Sequence, residues 1–155
     1  MELALEEARK AYALGEVPVG AVILRGDRVL SRGHNLKETL GDPTAHAEIL
    51  AIRRAARLTG GWRILDAAMY VTLEPCPMCA GAIVMARIPL LVIGAKDPRT
   101  GACGSLWDIT RDDRLNHRVQ VVTGVMEPEC RRILEDFFRE LRAKTEPEDM
   151  TTGSK

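Results

Sequence analysis

Two short segments, His46-Ala47-Glu48 and Pro75-Cys76-Pro77-Met78-Cys79, decide how this chain folds and what chemistry it supports. Together they offer one imidazole and two thiolates, which are side chains that zinc prefers as ligands. Three protein ligands leave a fourth position for water, an arrangement typical of catalytic rather than structural zinc sites. Glu48 follows the histidine closely and is the candidate for moving the proton of that water.

Both segments also predict the start of a helix. If a helix begins at Cys76, the sulfurs of Cys76 and Cys79 leave the same face within one turn. Pro77 suits a first helical position, where its missing N–H costs nothing, and the helix dipole there favours deprotonated thiols. In a regular helix His46 and Glu48 would diverge, so they converge only if the histidine lies at an irregular entry turn.

Outward from these segments, the apolar pattern alternates between helix and strand. It predicts helices at 2–15, at 45–58, from the 75–79 turn to about 86 and from Pro128 onward, and strands at 19–24, 28–31, 67–73, 90–94 and 119–122. Residues 98–118 are first Gly-rich and then polar, which predicts mostly loop. A hairpin followed by alternating helices and strands predicts an α/β fold with a mixed sheet and helices on both faces.

The composition predicts one globular domain. The chain has 155 residues, of which 46% are hydrophobic and 28% are charged. No apolar stretch is long enough to cross a bilayer and the start lacks the order of a signal peptide, so we expect a cytoplasmic protein without a membrane partner. We expect a domain over residues 1–142 and a disordered tail over 143–155. The 22 basic and 22 acidic side chains cancel, so any nucleic-acid-binding surface must be local.

The cysteines leave other interpretations of the metal motif open. An even number of cysteines permits disulfides, although a reducing cytosol and the spacing of Cys76 and Cys79 favour a metal. A closed structural site would need a fourth ligand. Cys103, in a Gly-rich loop, is the better contender for it than Cys130, which is in phase with the apolar stripe of the last helix. Glu48 could instead be a carboxylate that stabilises a helix N-terminus.

Longer blocks flank and include the two segments. In chain order they are D-P-T-A-H-A-E (42–48), Y-V-T-L-E-P-C (70–76), G-A-K-D (94–97), G-A-C-G-S (101–105), L-N-H-R-V (115–119) and D-F-F-R (136–139). The H-x-E and P-C-x-x-C elements alone are the known signature of the zinc nucleobase-deaminase superfamily. With all of these blocks, the chain resembles the bacterial tRNA-specific adenosine deaminases from its first helix to about Arg142.

The resemblance implies a three-layer α/β/α cytidine-deaminase-like fold with a mixed central sheet of about five strands. It implies a homodimer that hydrolytically converts adenosine to inosine at the wobble position of a tRNA anticodon loop. The tRNA anticodon stem-loop is then the partner. The resemblance also implies one Zn²⁺ per chain, held by His46, Cys76 and Cys79, with Glu48 as the catalytic proton shuttle.

The resemblance further implies a set of substrate-binding residues, namely Asn35, Asp97, Asn116, His117, Phe138 and Arg139. The amide of Asn35 can match a donor and an acceptor on a purine edge, and Asp97 would lie near a ribose. An aromatic ring such as Phe138 can stack an unpaired loop base. Two other interpretations stay open, because Asn35 could be a turn residue and at least one of Phe137 and Phe138 fits the core.

Three functions are therefore compatible with the sequence. The first is a tRNA adenosine deaminase. The second is a deaminase of a free base or nucleotide, such as guanine, cytosine or dCMP, with the same metal chemistry. The third is a non-catalytic zinc module. The blocks around Asp97 and Asn116 favour the first over the second, since a free-base enzyme needs no anticodon-loop surface. An intact Glu48 beside the ligands favours an enzyme over the third.

Overall fold

A mixed sheet organises the molecule. The structure, a computed structural model, describes residues 1–146. Its helices are α1 (Glu2–Ala13), α2 (Lys37–Leu40), α3 (Ala47–Thr59), α4 (Pro77–Met85) and α5 (Glu127–Thr145), and its strands are β1 (Gly20–Arg25), β2 (Arg28–His34), β3 (Ala68–Leu73), β4 (Leu90–Ala95) and β5 (Gln120–Val122). The strands lie in the order β2-β1-β3-β4-β5. β1 is antiparallel to β2 and β3, whereas β3, β4 and β5 run parallel.

Helices cover both faces of this sheet, which confirms the predicted three-layer fold. α3 and α4 share the larger hydrophobic core with the central strands, where Ile23, Met69 and Ile93 are completely buried. α1 and α5 pack on the other face and contact each other through Tyr12 and Phe137, whose ring centroids are 5.5 Å apart. None of the helices described in residues 1–146 is long and apolar enough to cross a membrane.

Two helices approach the sheet so closely that only glycine fits beneath them. A Cβ on Gly20 would collide with the carbonyl oxygen of Ala4 in α1, and a Cβ on Gly33 with that of Ala47 in α3. Gly33 pairs with the residue after Gly20 on the neighbouring strand, and successive positions of a strand face opposite sides. The two helices therefore lie on opposite faces, and the contact at Gly33 fixes where α3 begins.

The structure differs from the sequence-based expectations mainly between β1 and α3 and at the end of the last helix. β2 continues to His34, beyond the predicted strand at 28–31. The segment between the second strand and the helix of the H-x-E segment was predicted to be loop, but it contains α2. No residue of α2 is buried, so the sequence there has no apolar pattern that would predict a helix. α5 continues to Thr145, past the predicted domain boundary at 142, and its basic Arg142 and Lys144 stabilise the last turn through the helix dipole. The first residues of the predicted tail are therefore helical, and residues 147–155 lie outside the described part of the chain.

We predict that Gly33→Ala lowers the free energy of unfolding by about 1–3 kcal/mol, the usual cost of overpacking a tight site. The added methyl group meets backbone atoms of α3, which cannot rotate away as a side chain would. Urea unfolding followed by circular dichroism measures the loss. Gly61→Ala is the matched control, because nothing lies within 4 Å of a Cβ there. Equal unfolding midpoints for the two variants would contradict the close approach of α3.

Candidate active site

The first segment places its histidine and its carboxylate at the entry of α3. His46 is the N-cap residue, with an extended backbone (φ −75°, ψ 154°), and the helix begins at the next residue. Because His46 precedes the first turn, helical periodicity does not force its side chain away from that of Glu48. Both side chains line one cavity.

The second segment places its thiols at the start of α4, beside this histidine. Cys76 is the N-cap residue of α4, Pro77 occupies the first turn, and Cys79 is buried. Nδ1 of His46 lies 3.7 Å from Sγ of Cys76 and 3.5 Å from Sγ of Cys79. Tetrahedral zinc, with bonds of about 2.3 Å to sulfur and about 2.0–2.1 Å to nitrogen, separates such ligand atoms by roughly 3.5 Å. The donor atoms therefore fit a tetrahedral metal ion as they stand.

The other cysteines do not join this group. Among residues 1–146, the motif histidine and the two motif cysteines are the one set of three or more potential ligands whose atoms all lie within 4.8 Å of one another. Sγ of Cys103 lies 4.0 Å from the carbonyl oxygen of Pro75, and burial raises the pKa of this thiol to about 12. Cys130 is buried against Gly94. All four cysteines are free thiols, so this geometry supports neither disulfides nor a fourth ligand.

Hydrogen bonding and burial set the charges of the site. Interaction with Cys79 lowers the pKa of Cys76 to about 4, and His46 contributes in the same direction. The same interaction, together with burial, raises the pKa of Cys79. A metal ion binds thiolates, so its binding would release the proton of a thiol ligand. Burial raises the pKa of Glu48 to about 7, and a bound cation would act in the opposite direction.

A cavity of about 160 Å³ opens over these groups. Asn35 in its wall donates a hydrogen bond from Nδ2 to the carbonyl oxygen of Val17 and accepts one from the backbone N–H of Lys37. These bonds fix the amide and leave one N–H and one lone pair for a ligand. Ligand pockets usually measure roughly 300–1,000 Å³, so this smaller cavity suits a single flat ring better than a whole nucleotide.

The cavity continues into a longer groove of about 780 Å³ between α5 and the turn at 96–100. Asp97 and Thr100 border both spaces. On α5, Phe137 is buried, whereas Phe138 is 39% exposed and lines the groove. The structure therefore assigns Phe137 to the core and leaves Phe138 available to a ligand.

Basic side chains outnumber acidic ones along the groove. The cations that line it are Lys96, Arg99, Arg131, Arg139 and Arg142, against the carboxylates of Asp97 and Glu135. Of these cations, only Arg139, in the D-F-F-R block, is among the substrate-binding residues predicted from the sequence. The positions 131, 135, 138 and 142 recur at helical spacing, a signal from which the groove face of α5 could have been predicted.

Asn116 and His117 lie away from the cavity. Nε2 of His117 donates a hydrogen bond to the carbonyl oxygen of Ile88, at 2.8 Å. Ile88 precedes β4, whereas Asp97 follows it, so the two predicted contacts lie at opposite ends of that strand. Asn116 is exposed and borders neither the cavity nor the groove. This placement gives the His117 ring a structural hydrogen bond outside the cavity, and the contact of both residues with the anticodon loop stays a prediction.

Known proteins share this sequence pattern. The chain matches the MafB19-like deaminase family over residues 1–142. It is also 49% identical, over 144 residues, to the tRNA-specific adenosine deaminase of Bacillus subtilis (strain 168), an alignment that covers 93% of this chain and 89% of that protein. The chain belongs to the tRNA-specific adenosine deaminase family.

Solved structures resemble this deaminase as well. One, from a study of A-to-I editing by tRNA:A34 deaminases at the wobble position of transfer RNA, superposes with a TM-score of 0.83 and 47% identity over 86% of this chain and 97% of that chain. The guanine deaminase from Bacillus subtilis superposes with a TM-score of 0.59 and 38% identity over 61% of each chain. Similar scaffolds thus occur in deaminases named for different purines, so the substrate must be argued from the site.

We predict that the purified chain carries one equivalent of a divalent metal, measured by elemental analysis after gel filtration. Cys79→Ala should lose this metal, because it removes one of the three converging donor atoms. Cys103→Ala is the matched control, since it also removes a buried thiol but none of those donors. Loss of metal in the Cys103→Ala variant would show that a fourth protein ligand closes the site.

Proposed function

We propose that this deaminase uses one Zn²⁺ per chain to hydrolyse adenosine to inosine at the wobble position of a tRNA anticodon loop. The observation that carries the proposal is the buried Glu48 beside the ligand group, in a cavity that opens onto a basic groove. The similarity to tRNA-specific adenosine deaminases supports the choice of substrate. We expect the protein to act in the cytoplasm.

The chemistry follows from the placement of Glu48. When bound by His46, Cys76 and Cys79, zinc supplies the Lewis acidity that lowers the pKa of a ligated water to about 7. Glu48 is positioned to accept a proton from the attacking water, to deliver it to the ring nitrogen beside C6 and then to help protonate the departing amine. A C6–O bond forms and the C6–N bond breaks, so one water is consumed and one ammonia is released.

Asn35 is suited to orient the base over Glu48. Its amide is held by two backbone groups, so it presents its remaining donor and acceptor in a fixed direction. Preorganised hydrogen-bonding groups of this kind hold a ring in a reactive geometry, and they lose little conformational entropy of their own during the reaction. A purine edge offers complementary groups, but both adenine and guanine do so. Asn35 alone therefore does not decide between an adenine and a guanine substrate, and the contacts outside the base cavity must be considered.

The groove favours an RNA loop over a free base. Its clustered cations can contact phosphates although the chain as a whole has a formal net charge of zero. Phe138 offers an exposed ring on which an unpaired base can stack. A deaminase of free guanine has no use for such an extended basic surface. Contacts to flanking nucleotides can instead be used to hold the target base over the reacting groups.

We predict that an RNA hairpin with adenosine at the wobble position of an anticodon loop is converted to its inosine form, and that free adenosine is not appreciably converted. Glu48→Gln should lower turnover of the hairpin by at least about 10²–10⁴-fold, because glutamine keeps the shape but cannot accept and return the proton. Mass spectrometry of nucleosides from the digested hairpin measures inosine.

The metal content of the Glu48→Gln variant is the control, and it should equal that of the unaltered chain. Conversion of the hairpin should weaken as salt rises, because phosphate contacts release counterions. An inert hairpin together with consumption of free guanine, cytosine or dCMP would replace the proposal with a free-base or nucleotide deaminase. If no substrate is converted and metal is bound, the chain is a non-catalytic zinc module.

We also propose that the deaminase is a homodimer and that the outer face of α4 forms the interface. α4 is apolar nearly all round, and Met85 at its end is 65% exposed. Trp62 is 53% exposed, and its loop is bonded to the end of this helix by the N–H of Ile64, which donates to the carbonyl oxygen of Ala86. A surface of large apolar side chains is more stable when another protein covers it, and the resemblance implies a second copy of this chain.

We predict that light scattering at micromolar concentration gives twice the 17.1 kDa mass of one chain. Met85→Glu should shift the mass towards the monomer, because it places a charge within the proposed apolar interface. Leu14→Glu is the matched control, since Leu14 is 54% exposed but directly follows α1 in the opposite layer. A monomeric mass for the unaltered chain, or equal effects of the two variants, would contradict this interface.

A further inference from the structure

We propose that Glu74 is a positioning residue for deamination. Its carboxylate holds the loop at 97–105 against the connection between β3 and α4, and thereby keeps Asp97 and Thr100 in the wall of the base cavity. This inference rests on the proposed function, because it concerns how that substrate is held. The role differs from that of Glu48, which acts on protons.

Both oxygens of the buried Glu74 carboxylate are occupied by this loop. Oε1 accepts a hydrogen bond from the hydroxyl of Ser105 at 2.6 Å. Oε2 accepts from the backbone N–H groups of Cys103 at 3.4 Å and Ser105 at 3.3 Å. Glu74 is only 3% exposed, so each lost bond would leave a polar group buried without a partner.

A second contact places the same loop beside the metal-ligand segment. The backbone N–H of Ala102 donates to the carbonyl oxygen of Pro75 at 2.9 Å, directly before the first cysteine of that segment. Gly101 has no space for a side chain, because a Cβ there would collide with the Glu74 carboxylate. The loop therefore packs on Glu74 as closely as backbone atoms allow.

The turn that carries Asp97 is connected rigidly to this anchored part. The N–H of Gly101 donates to the carbonyl oxygen of Asp97 at 2.9 Å. The Asp97 carboxylate accepts hydrogen bonds from the N–H of Arg99 at 2.9 Å, the N–H of Thr100 at 3.2 Å and the hydroxyl of Thr100 at 2.7 Å. A turn bonded to itself in this way moves as one piece, so a shift at Gly101 displaces the cavity wall.

Three substitutions separate positioning from folding. Glu74→Ala removes every bond to the loop. Glu74→Gln can rebuild them, because its amide oxygen accepts from the two N–H groups and its amide NH₂ donates to the hydroxyl of Ser105. Ser105→Ala removes only the hydroxyl bond and provides a milder variant if Glu74→Ala does not fold. Glu129→Ala, an exposed change on α5, is the control.

The first measurement does not depend on activity. Hydrogen exchange of the zinc-loaded proteins, read by mass spectrometry, should show exchange of the 97–105 segment accelerated about tenfold or more in Glu74→Ala, which loses all three hydrogen bonds to the loop. Ser105→Ala should give a smaller acceleration in the same segment, and Glu74→Gln should stay close to the unaltered chain. Unchanged exchange in both alanine variants would overturn the proposal.

The second measurement gives kcat and KM for the anticodon hairpin per bound zinc. Glu74→Ala should lower kcat/KM by about tenfold or more, since misplacing groups that orient a substrate costs rate, and Glu74→Gln should restore most of it. A purely structural role would reduce the yield of zinc-loaded protein and leave these constants unchanged. Adding Glu74→Ala to Asp97→Ala should cost little further, because the two changes act through one turn.

The outcomes separate this inference from the proposed function. If the unaltered chain converts the hairpin and Glu74→Ala does so equally well per zinc, the positioning role fails and the function stands. Fully additive losses in the double variant would also overturn a role through Asp97. If the unaltered chain leaves the hairpin unchanged, the proposed function fails, and the exchange data alone decide whether Glu74 holds the loop.

Discussion

The site depends on one packing constraint, which is that the amino ends of α3 and α4 must meet on the same face of the sheet. α4 follows the central strand β3 directly, whereas α3 reaches this point from the edge strand β2, so its position must be fixed separately. The backbone contact at Gly33 fixes it, and His46 then lies within 3.7 Å of both cysteine sulfurs. The positive ends of both helices also point towards this site, where they favour thiolates.

The sequence predicted the features whose geometry is set over a few residues. Helix spacing brings Cys76 and Cys79 together, and the need for His46 and Glu48 to converge predicted the helix entry that the structure shows. The groove could not be predicted in this way, because its two walls are far apart in the sequence. One wall is the turn at 96–100 and the other is α5, and a long loop and β5 separate them along the chain. Sequence spacing carries no information on such a contact. α2 was missed for a related reason, since it buries no residue and has no periodic signal.

The distribution of charge over the surface could not be predicted from the composition. Equal numbers of basic and acidic residues argue against nucleic-acid binding only if they are mixed evenly over the surface. Here five cations line one groove with two carboxylates. The block around His117 is a separate case. Its resemblance to a tRNA-acting family predicts a contact with the anticodon loop, and the parallel strands place His117 at the end of β4 remote from the cavity, where its ring donates a hydrogen bond to the carbonyl oxygen of Ile88. The predicted RNA contact therefore lies outside the base cavity and stays a prediction.

The two buried glutamates in and beside the ligand segments, Glu48 and Glu74, have the same side chain but different surroundings, and their surroundings determine what each carboxylate can do. Glu48 is 4% exposed and Glu74 is 3% exposed, so for both residues the carboxylate loses its contact with water, which is unfavourable for the folded state. Glu74 accepts three hydrogen bonds from one loop, which satisfy both of its oxygens and make it an anchor. For Glu48 burial is the dominant influence and raises its pKa to about 7. A carboxylate with a pKa near 7 exchanges protons readily at neutral pH, whereas the role of Glu74 rests on its hydrogen bonds to the loop. The proposed function needs both behaviours, one carboxylate to move protons and one to keep the base where those protons are used.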